Sequence, residues 1–146
     1  MDSVRTPSEP LPSRPTSELT RDVRVQTAGP IVSRTTRILA RGFAFLEGPR
    51  WHDGRLWVSD MHHDRVLTVD LDGRVETVVD VPGRPSGLGW LPDGRLLVVS
   101  MVDRRVLRFD GHRLEEHADL SDLATFHCND MVVDARGRAY VGNFGW

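Results

Sequence analysis

The feature that most constrains the fold is a repeat. The segments "WHDGRLWVSDMHHDRVLTVDLDGRVETVVD" (51–80) and "WLPDGRLLVVSMVDRRVLRFDGHRLEEHAD" (90–119) share the order W…DGR…RV, and "VDARGRAYVGNFG" (133–145) begins it a third time. The turn glycines Gly54, Gly94 and Gly137 are 40 and 43 residues apart. A second set of turns, Asp72-Gly73 and Asp110-Gly111, falls roughly midway within each unit. Asp-Gly between β-rich runs predicts a two-residue hairpin turn, which needs positive φ at both central positions. Two hairpins per unit make four short strands in about 40 residues.

That is the period of a β-propeller blade. The strands "RLWVS", "RVLTVD", "RLLVVS" and "RVLRFD" are nearly continuous apolar runs. Blades stack face to face, so both faces of a strand are buried and the polar alternation is lost. A two-sheet sandwich also uses short strands and tight turns, but it does not account for the repeated W…DGR…RV order. The WD-type signature is absent. Trp51, Trp57 and Trp90, in or beside strands, are expected to pack between blades.

The other segments read differently. Residues 1–34 are rich in Pro, Ser, Thr and Arg without a sustained hydrophobic period, which predicts a flexible tail. Ordered structure is expected over 35–146, beginning with an extended "TTRILARGFAF". Hydrophobic residues at 39% and charged residues at 27% are those of a soluble globular protein. A formal net charge of −2 argues against a nucleic-acid or anionic-membrane partner. All 19 basic residues are Arg, and they are dispersed, as codon bias leaves them. The N-terminus lacks a signal-peptide core, and no apolar run approaches a membrane span. The single cysteine, Cys128, excludes an intrachain disulfide framework. A cytoplasmic location is expected.

The repeat also aligns polar residues. Eight residues before Gly94 is Ser86, eight before Gly137 is Asn129, and four before Trp51, in the unit with the shorter turn, is Glu47. These three share one pseudo-symmetric position. The innermost strand of each blade lines the channel, so the three polar groups converge on the axis. Glu47 heads an apolar segment (Phe43, Phe45, Leu46) that has no packing use for a carboxylate, and a buried carboxylate is paired, solvated or metal-bound. A carboxylate with an amide oxygen is a hard-oxygen environment, suited to Ca²⁺, Mg²⁺ or Mn²⁺. The spacing also fits a loop-capping Glu47 and an Asx-turn at Asn129. His62 and His63 are adjacent, project to opposite faces if extended, and read as a loop. Asp60 either reaches the channel mouth or caps that loop. Cys128 is expected to face a neighbouring blade.

"LEGPRW" with "DGRLWVSD", then "CNDMVVDARGRAYVGNFG", resembles the senescence-marker-protein (regucalcin), gluconolactonase and luciferin-regenerating-enzyme family from about Arg41 onward. The resemblance implies an all-β, six-bladed propeller, of which this chain would carry an N-terminal portion of fewer than three full blades. It implies that Glu47 ligates one divalent metal ion, Ca²⁺ first, with Zn²⁺, Mn²⁺ or Mg²⁺ as alternatives. It places Asn129 beside the metal, contacting substrate or metal-bound water, with Asp130 next to it in the catalytic set. His127 stands where some members carry a sugar-holding Arg, and it lacks the Arg fork. It is then a substrate-binding or a channel-wall residue. The implied reaction is hydrolysis of sugar lactones or related cyclic esters, with two further ligands and the general base from the family's second half. The partner is a small lactone or ester. Two other readings stay open: a non-catalytic propeller that binds a ligand or partner, and an inactive fragment.

Overall fold

The structure, a computed structural model, describes residues 21–25 and 32–145. The chain divides into two units, 1–38 and 39–146. In the first, strands β1 (Arg21–Val25) and β2 (Val32–Thr36) pair antiparallel, Arg21 opposite Thr36 and Val25 opposite Val32. This differs from the tail expected over 1–34: "RDVRV" and "VSRTT" are rich in β-branched residues, which favour extended backbone. The rest of that tail, 1–20 and 26–31, lies outside the described residues. Thr35 and Thr36 belong to β2, and 37–45 form no strand, so "TTRILAR" is not the single extended element its composition suggests.

In the second unit each full repeat closes as a four-stranded antiparallel meander. The first sheet runs β3 (Leu46–His52), β4 (Arg55–Asp60), β5 (Arg65–Val69), β6 (Val75–Asp80). The second runs β7 (Pro85–Trp90), β8 (Leu96–Ser100), β9 (Arg105–Phe109), β10 (Leu114–Asp119). The third repeat supplies the pair β11 (Cys128–Val133) and β12 (Ala139–Asn143). These are two propeller blades and the inner half of a third, and the innermost strand of the second, β7, packs against both β3 and β11.

The two-sided burial read from the apolar runs is clearest in β8, where all five residues are buried. Leu96 and Val98 join Val66, Val81 and Leu88 in a core toward the first blade. Leu97 and Val99 join Val106, Ala124, Cys128 and Met131 in a core toward the third. Successive side chains of a strand face opposite ways, so one strand serves two cores. Cys128 faces a neighbouring blade, as expected. Burial pushes its thiol pKa up, the Arg104 charge opposing, which leaves it unsuited to nucleophilic chemistry.

Trp57 and Trp90 meet edge to face at 5.3 Å, and His52 stacks on Trp90 at 3.9 Å, so both indoles pack between blades. Trp51 does not. It is 60% exposed, because it precedes His52 and so points to the other face of β3.

Of the Asp-Gly turns, Asp53-Gly54 has both residues at positive φ, 48° and 74°. At Asp93-Gly94, Asp72-Gly73 and Asp110-Gly111 only the glycine is left-handed. At Asp110-Gly111 the loop is again two residues, Gly111-His112 between Asp110 and Arg113, but at Asp93-Gly94 and Asp72-Gly73 it is one residue longer; Gly94 N–H, for example, donates to Leu91 O at 2.9 Å. An extra residue in the loop replaces the two-residue turn with one that needs a single left-handed position.

Candidate functional site

Each innermost strand carries the same irregularity near its start. Glu47 lies opposite Ser59, yet Arg50 lies opposite Trp57. The same one-residue slip falls between Pro85 and Leu88 on β7, and between Cys128 and Met131 on β11. An extra residue in one strand of a pair is a β-bulge, which bends the strand and re-aims the side chain at that point. The register shifts directly after Glu47 and across Ser86 and Asn129, the three positions that the repeat aligns.

Close backbone approach accompanies the bulges. Gly48 (φ +56°) follows Glu47, and a Cβ there would stand 2.5 Å from Ser86 O. Gly87 follows Ser86, and a Cβ there would overlap Met131 N and stand 2.9 Å from Asp130 Cα. Glycine is needed at both positions for the inner strands to close on one another. The buried Ser59 hydroxyl donates to Ser86 O at 2.7 Å, fixing the backbone of β7 at the site residue.

The side chains then meet. Ser86 Oγ, 1% exposed, lies 2.7 Å from Glu47 Oε2 and 3.1 Å from Asn129 Oδ1. Glu47 and Asn129 are half-buried. A hydroxyl has one proton, so Ser86 donates to one of these oxygens and cannot serve both. Three convergent oxygens, one carboxylate, one amide and one hydroxyl, fit a hard divalent cation as a partial donor set. Among the described residues, no three His, Cys, Asp or Glu side chains come together as a metal set. A metal at this donor set would need water or further ligands.

Asp130 does not turn to this cluster. Its Oδ1 accepts from Arg50 Nη2 at 2.6 Å and from Met131 N–H at 2.8 Å. Neighbouring side chains diverge in a bulged strand, so Asp130, expected in the catalytic set beside Asn129, is engaged here by Arg50 with its side chain still 56% exposed. Arg50 was not singled out by its sequence context. It also donates to Met131 O at 2.7 Å and to Pro49 O at 2.9 Å. His127 is half-buried, with its ring stacked on Phe126 at 4.2 Å.

Asp60 stands at the start of the 61–63 turn without a side-chain bond to its backbone. It is fully buried, and its Oδ1 accepts from Ala44 and Phe45 N–H at 3.0 and 3.2 Å. Its Oδ2 lies 2.8 Å from His63 Nδ1 and 3.1 Å from Arg65 Nη2. Burial alone would raise its pKa, but the bonds from His63, Phe45, Ala44 and Arg65 outweigh burial and hold it down to about 2. Asp60 thus anchors the segment that leads into Glu47. His62 and His63 form a 3-10 turn with Met61, and the His62 ring meets Phe45 edge to face at 5.6 Å, as a loop reading requires. Beyond Arg50, the ends of the inner strands line a concavity of about 390 Å³ with Trp51, His52, Trp90 and Val133 among its walls.

The profile of the SMP-30/gluconolactonase/LRE-like region matches residues 45–145. No curated protein matches the chain. A gluconolactonase from Xanthomonas campestris superposes with a TM-score of 0.63 at 24% identity, over 73% of this chain and 38% of its own. A protein provisionally called a gluconolactonase gives 0.57 at 23%, over 72% and 38%. A streptogramin B lyase gives 0.53 at 16%, over 64% and 32%. At such identities these structures speak for the fold. The chain spans about two-fifths of the length of the first two.

Proposed function

Because the chain belongs to the SMP-30/gluconolactonase/LRE-like family, we propose that it serves a divalent-metal-dependent hydrolase of sugar lactones or related cyclic esters. The observation that carries this reading is the meeting of Glu47, Ser86 and Asn129 oxygens within 2.7 and 3.1 Å at equivalent bulges of three successive inner strands. Glu47 and Asn129 would hold the ion, Ca²⁺ first, with Ser86 beside them. When bound, a divalent ion polarises a lactone carbonyl and lowers the pKa of a water.

The chain's own residues have separable tasks. Glu47 supplies the negative charge that attracts the cation. The Ser86 hydroxyl, fixed from behind by Ser59, spaces the carboxylate from the amide. Asn129 presents an amide oxygen toward Ser86, and its NH₂ is available to donate to a substrate oxygen. His127 remains a candidate for the substrate wall. No helix among the described residues is long and apolar enough to cross a membrane, and the lone buried thiol supports our placement in a reducing, cytoplasmic setting.

A second reading, a propeller that binds a ligand without turning it over, is favoured by one feature: Asp130, the carboxylate nearest Asn129 in sequence, is engaged by Arg50. Hydrolysis of gluconolactone with and without Ca²⁺, measured on these blades within a propeller that also carries the family's second-half blades, separates the two. The hydrolase reading expects turnover that a chelator removes and that falls about 100-fold or more in Glu47→Gln, the scale at which metal-site lesions act. Metal and lactone binding without turnover would establish the binding module.

A further inference from the structure

Arg50 crosses from the first blade to the third. It stands three residues after Glu47, beyond the bulge in β3, and its Nη2 reaches both Asp130 Oδ1 (2.6 Å) and Met131 O (2.7 Å) on β11. The strand between them, β7, offers Gly87 beside Asp130 and Met131, where a Cβ would overlap Met131 N. Nη1 is held by Pro49 O at 2.9 Å, so the guanidinium is fixed at both ends. Asp130 Oδ1 also accepts Met131 N–H. The carboxylate, the peptide after it and the guanidinium therefore form one knot on the backbone that follows Asn129. A planar nitrogen whose two N–H groups bond a carboxylate and a carbonyl together sets position as well as charge.

Resting on the reading of Glu47, Ser86 and Asn129 as one site, we propose that Arg50 is a positioning residue for Asn129, with Asp130 as its anchor. Arg50 holds the bulge of β11 so that the Asn129 amide meets Ser86. The Asn-Asp pair then divides its labour: Asn129 faces the site, and Asp130 faces the clamp that aims it.

The test reads Asn129 directly and needs neither metal nor substrate. The chain has three side-chain carboxamides, Gln26, Asn129 and Asn143. In a ¹H–¹⁵N spectrum of the ¹⁵N-labelled chain, the Asn129 NH₂ pair is the one lost in Asn129→Asp. Arg50→Ala and Asp130→Ala are each expected to move that pair by several linewidths while the Asn143 pair stays in place. The double variant is expected to move it no further than either single change, because both remove one clamp. Arg50→Lys, which keeps the cation but not the planar guanidinium held by Pro49 O, should return the pair part-way; it also serves as the readout if the alanine variants do not fold. An Asn129 pair that stays put in Arg50→Ala and Arg50→Lys, shifts that add in the double variant, or changes across the whole spectrum would overturn the proposal. A wild-type chain that binds no metal would count against the metal reading and leave the Arg50 result standing.

Discussion

Asp60 is the one buried carboxylate among the described residues, and its four partners determine what it contributes. Its folded pKa of about 2 lies below the ordinary 3.8. The unfolded chain therefore takes up the proton first as pH falls. The stabilisation is fully present above about pH 4 and is lost between there and pH 2, an effect of about 2 kcal/mol. Asp60→Asn keeps the shape but turns an NH₂ toward either the Ala44 and Phe45 N–H groups or the Arg65 guanidinium. The expected cost at pH 7 is about 2–3 kcal/mol, read by urea unfolding, with a shallower loss between pH 4 and 2 than wild type. Equal pH slopes in the two proteins would remove Asp60 from this role. At this scale the sequence was uneven in what it showed. Glu47, Ser86 and Asn129 could be brought to one level by counting back from a turn, because a repeat carries its register from unit to unit. Asp130 and Arg50 could not be paired that way. They stand 80 residues apart on different blades, and their contact breaks the repeat's own symmetry.

The inner strands owe their geometry to bulges and to missing side chains. Apolar runs and Asp-Gly turns made the strands legible, since both leave a strong local mark. A bulge leaves none: it adds one residue to a strand whose ends the turns already define. The β1–β2 pair was hidden in the same way, by a composition that reads as tail. Gly87 tests whether close approach matters. In Gly87→Ala the Cβ meets Met131 N, a backbone atom that cannot rotate away, so β7 and β11 must separate. The expected destabilisation is about 1–3 kcal/mol, the range for overpacking, measured by urea unfolding. Gly94→Ala has open space at its Cβ but a φ of +85°, so its cost is only that of backbone strain. A Gly87→Ala that matches wild type in stability would mean that β7 and β11 do not pack as closely as described.

Across the whole molecule, one blade motif is used three times and its differences fall where chemistry is possible. At the shared bulge the three units carry a carboxylate, a hydroxyl and an amide. At the end of the second strand they carry Asp60, Ser100 and Asn143, which serve local loops: Asp60 with His63, Ser100 Oγ with Asp103 Oδ2 at 2.8 Å, Asn143 Oδ1 with Gly145 N–H at 2.8 Å. The positions at the end of the second strand thus do structural work, whereas the bulge positions bring their polar side chains together. The period and the two-faced apolar runs made the propeller readable in advance, because blade stacking is written into every strand. A metal or substrate site is harder to read, because it would depend on groups brought together from different blades.

Thermal unfolding in a Ca²⁺ titration tests whether Glu47, Ser86 and Asn129 form a divalent-cation site. Binding to the native state at 100 times Kd should stabilise it by about 2.7 kcal/mol, a rise on the order of 10 °C for a domain of this size. Glu47→Gln should remove that rise while leaving the melting temperature without metal nearly unchanged. A melting temperature indifferent to Ca²⁺, Mn²⁺, Mg²⁺ and Zn²⁺, or an equal rise in Glu47→Gln, would contradict it.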